Sequence, residues 1–124
     1  MILIDGHNLI GSGRVPGVSL EQEDDEWRLM QYLRARQSRL RQPVVVVFDG
    51  GVPAGAAPEL SGGGVQAVFA AAQGSDADRV TLARVRQRPA GQKLVVVTND
   101  GALAAAVQAL GGQTESAVDF GNRL

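Results

Sequence analysis

Apolar residues in this chain follow two rhythms. Residues 1–5 (MILID), 43–49 (PVVVVFD) and 93–98 (KLVVVT) are nearly unbroken apolar runs of strand length, and 65–69 (VQAVF) is a weaker one. Unbroken rather than alternating hydrophobicity over so few residues predicts strands covered on both faces. Between the runs the spacing becomes helical. Ser19 with Gln22 has the form of a capping box, and Trp27, Met30 and Leu33 recur every third residue, which predicts a first helix from Ser19 to Leu40. Its charges are sorted by end: Glu21, Glu23, Asp24, Asp25 and Glu26 come first, Arg34, Arg36, Arg39 and Arg41 last. The helix dipole favours that order and accounts for the charge run without a binding role. A second helix is predicted over about 76–87 with Val80, Ala83 and either Arg84 or Val85 inward, and a third over 101–110. Ser116 followed by Asp119 suggests a short terminal helix.

Strands alternating with helices at this spacing require parallel strands joined by right-handed crossovers. The expected fold is a three-layer α/β domain with a mostly parallel central sheet flanked by helices, filling residues 1–124 as a single domain. Residues 50–64 (GGVPAGAAPELSGGG) carry six glycines and two prolines and are expected to form a flexible surface loop, either a tolerated insertion or a flap over the site.

Composition narrows the chemistry. The chain has no Cys and one His, His7, which excludes disulfides, thiolate zinc sites, a cysteine nucleophile and a multi-histidine metal centre. Twelve basic residues against thirteen acidic ones give a net charge of −1, so the protein is not a polybasic nucleic-acid coat. The N-terminus lacks a basic segment before its apolar run and no run is long enough to span a bilayer, which predicts a cytoplasmic location. Neither a GxxxxGK[ST] phosphate loop nor a GxSxG elbow is present.

The acids sit where an α/β sheet places its ligands, beyond the carboxyl ends of the strands. Asp5 closes the first strand and Asp49 the second, Asp100 follows the fourth after Thr98 and Asn99, and Asp76 and Asp78 open the second helix. Gathered at one edge, five carboxylates repel, and a divalent cation relieves the repulsion. Oxygen-only donors suit Mg2+ or Mn2+, which can activate a water for attack at phosphorus. Taken singly, Asp76, Asp78 or Asp100 would serve equally well as a helix cap or turn former. Asp5 is the hardest to explain as structure, because a carboxylate ending a buried strand is costly without a partner. Asn8, three residues on, is placed to fix that carboxylate or a phosphate; His7 is either a general base or a simple loop side chain.

IDGHNLIG at 4–11, VVFDG at 46–50, VQAVF followed by GSDADRV, and TND at 98–100 resemble the NYN domain of the PIN-like nuclease superfamily, in its YacP-like branch. The resemblance runs through nearly the whole chain in order. It implies a Mg2+- or Mn2+-dependent endoribonuclease whose metal is held by Asp5, an acid of the 76–78 segment and Asp100, with Asn8 in the catalytic set and His7, Asn8, Asn99 and Asp49 toward the substrate. That branch includes a ribosome-associated enzyme that cuts mRNA, making RNA the expected partner and the ribosome a candidate one. The chain departs from the family at Ser75-Asp76-Ala77-Asp78, where Ala77 stands at the family's acidic position and both flanking aspartates are available to replace it. His7 replaces the usual Tyr.

The alternative is a catalytically inactive NYN-fold module for RNA binding or assembly, which the Ala77 departure favours. A small-molecule phosphoryl-transfer domain is disfavoured because the second Asp such domains carry two residues after the first is absent. RNA affinity depends on phosphate neutralisation, yet residues 42–78 contain no Lys or Arg. Any basic surface must come from Arg14, from the Arg34–Arg41 cluster, or from Arg84, Arg86 and Arg88.

Overall fold

The computed structural model describes residues 1–51 and 61–124. The apolar runs become β1 (Ile2–Asp5), β2 (Val44–Phe48), β3 (Val65–Phe69) and β4 (Val95–Val97), and a polar segment not anticipated from the sequence forms β5 (Gln113–Glu115). Every pairing is parallel and the strand order is β3-β2-β1-β4-β5, so the sheet is wholly parallel rather than mostly so. Ile2 is flanked by Val44 on one side and Val95 on the other. From central β1 the chain winds outward to β2 and β3, then returns to β4 and β5, and the direction of winding reverses between β1 and β4. Such a switch point opens a crevice at the carboxyl ends of the strands.

The helices are α1 (Gly6–Gly11), α2 (Asp25–Arg34), α3 (Gln37–Leu40), α4 (Ala77–Gln87), α5 (Gly101–Ala109) and α6 (Ala117–Asn122), with a 3-10 turn at Ala70–Gln73. Successive strand residues face opposite sides, which splits the core in two. Ile2, Ile4, Val44, Val46 and Phe48 pack with Leu9, Leu29, Met30, Leu33, Leu40 and Phe120 under α1, α2, α3 and α6. On the other face Leu3, Val45 and Val47 pack with Val80, Val85, Leu103 and Val107 of α4 and α5. Two helical layers enclosing one sheet are the three layers expected. Among the described residues no helix is long and apolar enough to cross a membrane.

The single helix expected over 19–40 is instead two helices preceded by an isolated turn. Ser19 and Gln22 do make their local contacts: the Ser19 N–H donates to Gln22 Oε1 at 3.0 Å and the Glu21 N–H to Ser19 Oγ at 3.2 Å. They close that turn without starting a helix. Continuing it would stack Glu21 on Asp24 and Asp25 at helical spacing, where like charges repel, and α2 begins only at Asp25. The inward stripe also shifts by a position. Leu29, Met30 and Leu33 are fully buried while Trp27 is 45% exposed. In α4, Val80 and Val85 are buried as expected, but Thr81 completes the stripe and Ala83 and Arg84 are only half-buried. Of the 50–64 loop, residues 52–60 lie outside the described residues, and Gly62, Gly63 and Gly64 turn into β3 with positive φ.

Gly6 makes the first turn of α1 possible. A Cβ there would sit 2.5 Å from Phe48 Cε1 and 2.9 Å from Val46 Cγ1, so only glycine lets α1 start directly off β1 against β2. That tight start carries His7 and Asn8 over the sheet edge beside Asp5.

Candidate active site

All five expected carboxylates line one open cleft of about 460 Å3 at the switch point, together with His7 and Asn8. Asp5 ends β1, Asp49 follows β2, Asp76 and Asp78 stand at the start of α4, and Asp100 caps α5. The convergence follows from topology, because every crossover brings the chain back with a strand end or helix start at this edge.

Asp5 and Asp100 meet through Thr98, a residue only 3% exposed whose role the sequence did not reveal. The Thr98 hydroxyl donates to Asp5 Oδ2 at 3.1 Å and accepts the Asp100 N–H at 3.0 Å. Asp100 Oδ1 in turn accepts the N–H groups of Ala102 and Leu103 at 2.9 and 3.1 Å, capping α5. Burial pushes the Asp5 carboxyl above its ordinary range; the Thr98 hydrogen bond offsets part of this, and the charges of Asp78, Asp49 and Asp100 add to it. Asp78 is raised too, by burial first and then by Asp100, Asp76 and Asp49. Like charge therefore surrounds both groups.

The neighbouring acids are tied down differently. Asp76 Oδ1 accepts the Arg79 N–H at 2.9 Å while Oδ2 lies 3.4 Å from Arg79 Nε, so Asp76 caps α4. Asp49 Oδ1 accepts the Ala77 N–H at 2.7 Å. The position taken by Ala77 is thus itself buried, with its backbone anchored by one acid and flanked by two others. Asn8 Oδ1 accepts the Asn99 N–H at 2.6 Å, and Asn99 Oδ1 accepts the Ala117 N–H at 2.8 Å. Asn99 does not line the cleft; its side chain braces the start of α6.

Helix electrostatics accounts for the acids of α2, yet two of them also stand behind His7, without lining the cleft themselves. His7 Nε2 lies 3.3 Å from Glu26 Oε1 and 3.9 Å from Asp25 Oδ2, with its ring 5.2 Å from that of Phe48. Asp25 is 6% exposed. Burial, then hydrogen bonding and charge from Glu26, push its carboxyl up to about 6. Burial also acts to raise Glu26, but hydrogen bonds from Asp25, the backbone and His7 outweigh it and lower the group. Of the two carboxyls, Asp25 is therefore the one raised and Glu26 the one lowered. Among the described residues, His7, Asp25 and Glu26 are the three whose ligand atoms all lie within 4.8 Å of one another, and they could hold a metal ion. The five strand-end aspartates share a cleft without so close a grouping.

A wholly parallel sheet with a carboxylate-lined cleft at its switch point defines a doubly wound α/β domain with an acidic site. Residues 2–124 match the family model for the YacP-like NYN domain, and the chain belongs to that family. The crystal structure of Rae1 (YacP) from Bacillus subtilis is similar, with a TM-score of 0.72 at 24% identity over 99% of this chain and 75% of that one. A tryptophan-to-leucine variant of the same Bacillus subtilis protein gives 0.67 at 23% identity, over 98% of this chain and 76% of that one. At such identities the likeness shows the fold. No curated protein matches the chain.

Proposed function

We propose that the protein is a metal-dependent endoribonuclease that hydrolyses RNA phosphodiester bonds at the aspartate-lined cleft. One observation carries this reading: Asp5 and Asp78 are raised by burial and by each other's neighbours, so the site stores negative charge that a cation would relieve. Oxygen-only donors suit Mg2+ or Mn2+. Asp5, Asp78 and Asp100 are the proposed ligands, with Asp76 at the rim. Asp78 is the better replacement for the acid missing at Ala77, since it feels the charge of Asp100 while Asp76 is committed to Arg79. A bound ion would neutralise the phosphate and lower the pKa of a water.

The chain's own groups supply the rest. Thr98 holds Asp5 and the backbone of Asp100 in one frame. Asn8, its carbonyl fixed by the Asn99 N–H, is left with its amide N–H groups to donate to a phosphate oxygen. His7, steadied by Glu26, faces the substrate side of the cleft. Asp49 keeps α4, and with it Asp78, in position. The reading places the protein in the cytoplasm, with RNA as substrate and the ribosome as candidate partner.

A second reading, a catalytically inactive RNA-binding or assembly module, is favoured by one observation: Asp5, Asp78 and Asp100 do not approach one another as closely as His7, Asp25 and Glu26 do. Cleavage of a mixed-sequence single-stranded RNA in Mn2+, with EDTA and Asp5→Asn as controls, separates the two. Cleavage lost in both controls supports the nuclease. RNA binding without cleavage, indifferent to metal and to Asp5→Asn, supports the module.

A further inference from the structure

We propose that the edge of the molecule opposite the aspartate cleft is a docking surface for the phosphate backbone of a folded RNA, distinct from the strand at the cleft. The choice of RNA rests on the functional reading above; the surface itself rests on how charge is distributed in the fold. The crossover helices α2, α4 and α5 run antiparallel to the strands, so their starts gather at the cleft and their ends at the far edge. Among the described residues, every Asp and Glu lies at a strand's carboxyl end, in a helix's first turn or in the segment leading into α2. Among the described residues the far edge carries none of them. It carries Arg39 and Arg41 at the end of α3, Arg84, Arg86 and Arg88 in the last turns of α4, and Lys93 just before β4.

The segments that carry these groups meet around the N-terminus. Lys93 and Met1 meet through a 3.0 Å backbone contact, and the Ile2 N–H donates to the Pro43 carbonyl at 2.9 Å, which brings the segment after Arg41 beside the segment holding Lys93. Arg84 and Arg88 line a cleft of about 470 Å3 with three glutamines and Met1. Arg88 is fixed there by the carbonyls of Val85 and Leu110 at 2.7 and 3.1 Å. Arg39, Arg41, Arg86 and Lys93 are exposed.

Five arginines to one lysine favour phosphate over a diffuse anionic surface, because the guanidinium fork pairs bidentately with phosphate oxygens. Among the described residues membrane insertion has no apolar anchor at this edge: the exposed large apolar residues, Leu20 and Trp27, lie before α2 and in its first turn, on the cleft side. The polarity also sets orientation. A polyanion attracts the basic edge and repels the acidic one, about 15 Å away along strands of four or five residues. The RNA segment that anchors the protein is therefore not the segment that enters the cleft.

The test is fluorescence anisotropy with a labelled RNA duplex of about 16 base pairs in EDTA, over about 50 to 200 mM KCl. The wild type is expected to bind with strong salt dependence. The Arg41→Gln/Arg84→Gln/Lys93→Gln variant should bind about tenfold or more weakly, with a log–log salt slope shallower by about 2 to 3. The exposed pair Arg39→Gln/Arg86→Gln should shift the same way, and Arg28→Gln/Arg123→Gln should not shift. Single-stranded cleavage in Mn2+ should be the same in wild type and triple variant. Because the duplex readout needs no metal, failure of the nuclease reading would leave it intact. Absence of duplex binding, equal binding by wild type and triple variant, or displacement of the duplex by polyglutamate at equal charge would overturn the proposal, the last pointing to an acidic protein.

Discussion

The Thr98 hydroxyl donates to the Asp5 carboxylate at 3.1 Å, joining residues 93 positions apart across the β1–β4 pairing. Because the same oxygen accepts the Asp100 N–H, Thr98→Val removes two hydrogen bonds while keeping the side chain's shape. We expect a loss of about 1 to 3 kcal/mol of stability and cleavage reduced about tenfold or more, with Thr98→Ser recovering most of both. Denaturant melts and cleavage rates on the two variants check this.

Asp5 and Asp78 give the metal-free protein an unusual pH response. The folded state keeps protons on them at pH values where the unfolded chain has released its own, so their contribution to stability falls as pH rises from 3.8 through their raised values. Asp5→Asn should raise the melting temperature of the metal-free protein at pH 7 by a few degrees and flatten that slope while abolishing cleavage. Mn2+ should raise the melting temperature of the wild type and leave Asp5→Asn unchanged. Calorimetry with and without EDTA reads both effects.

Asp25 titrates in its own window. With its carboxyl pushed up to about 6, its contribution to stability declines as pH rises from 3.8 to about 6. Glu26 is lowered and acts in the opposite sense, its contribution being lost as pH falls below 4.5. Between 4.5 and about 6 this pair's share of the slope therefore belongs to Asp25. Asp25→Asn should flatten it there, as measured by denaturant midpoints across pH.

Asp49 is expected to act through α4 rather than on substrate. Asp49→Ala frees the Ala77 N–H and should cost about 1 kcal/mol, lowering cleavage by displacing Asp78. Asp49→Asn keeps the acceptor oxygen and should remain near wild type in both respects. An Asp49→Asn variant as damaged in cleavage as Asp49→Ala would make the charge itself the functional element.

The strand-end aspartates were legible because their positions follow from unbroken apolar runs that could only be buried parallel strands. The elements that escaped had no such signal. α1 has six residues beginning with glycine and no side-chain cap, so its apolar pair Leu9 and Ile10 resembles the end of a loop. β5 is Gln-Thr-Glu, with no apolar rhythm to mark it. Asp25 lay hidden in a run of acids whose electrostatic explanation was sufficient until burial singled it out beside His7. Thr98 could be read as part of a turn, but its two partners depend on which strands are neighbours.

The polar character of β5 has a consequence for self-association. A parallel sheet ends in an open row of backbone donors and acceptors, and a long apolar edge there would invite another chain to continue the sheet. On the β4 side that row is three residues long, ends in a glutamate held by Arg123 at 3.0 Å, and offers an incoming strand no large apolar side chain to bury. The segment that was hardest to find in the sequence is the one that blunts edge-to-edge aggregation on this flank.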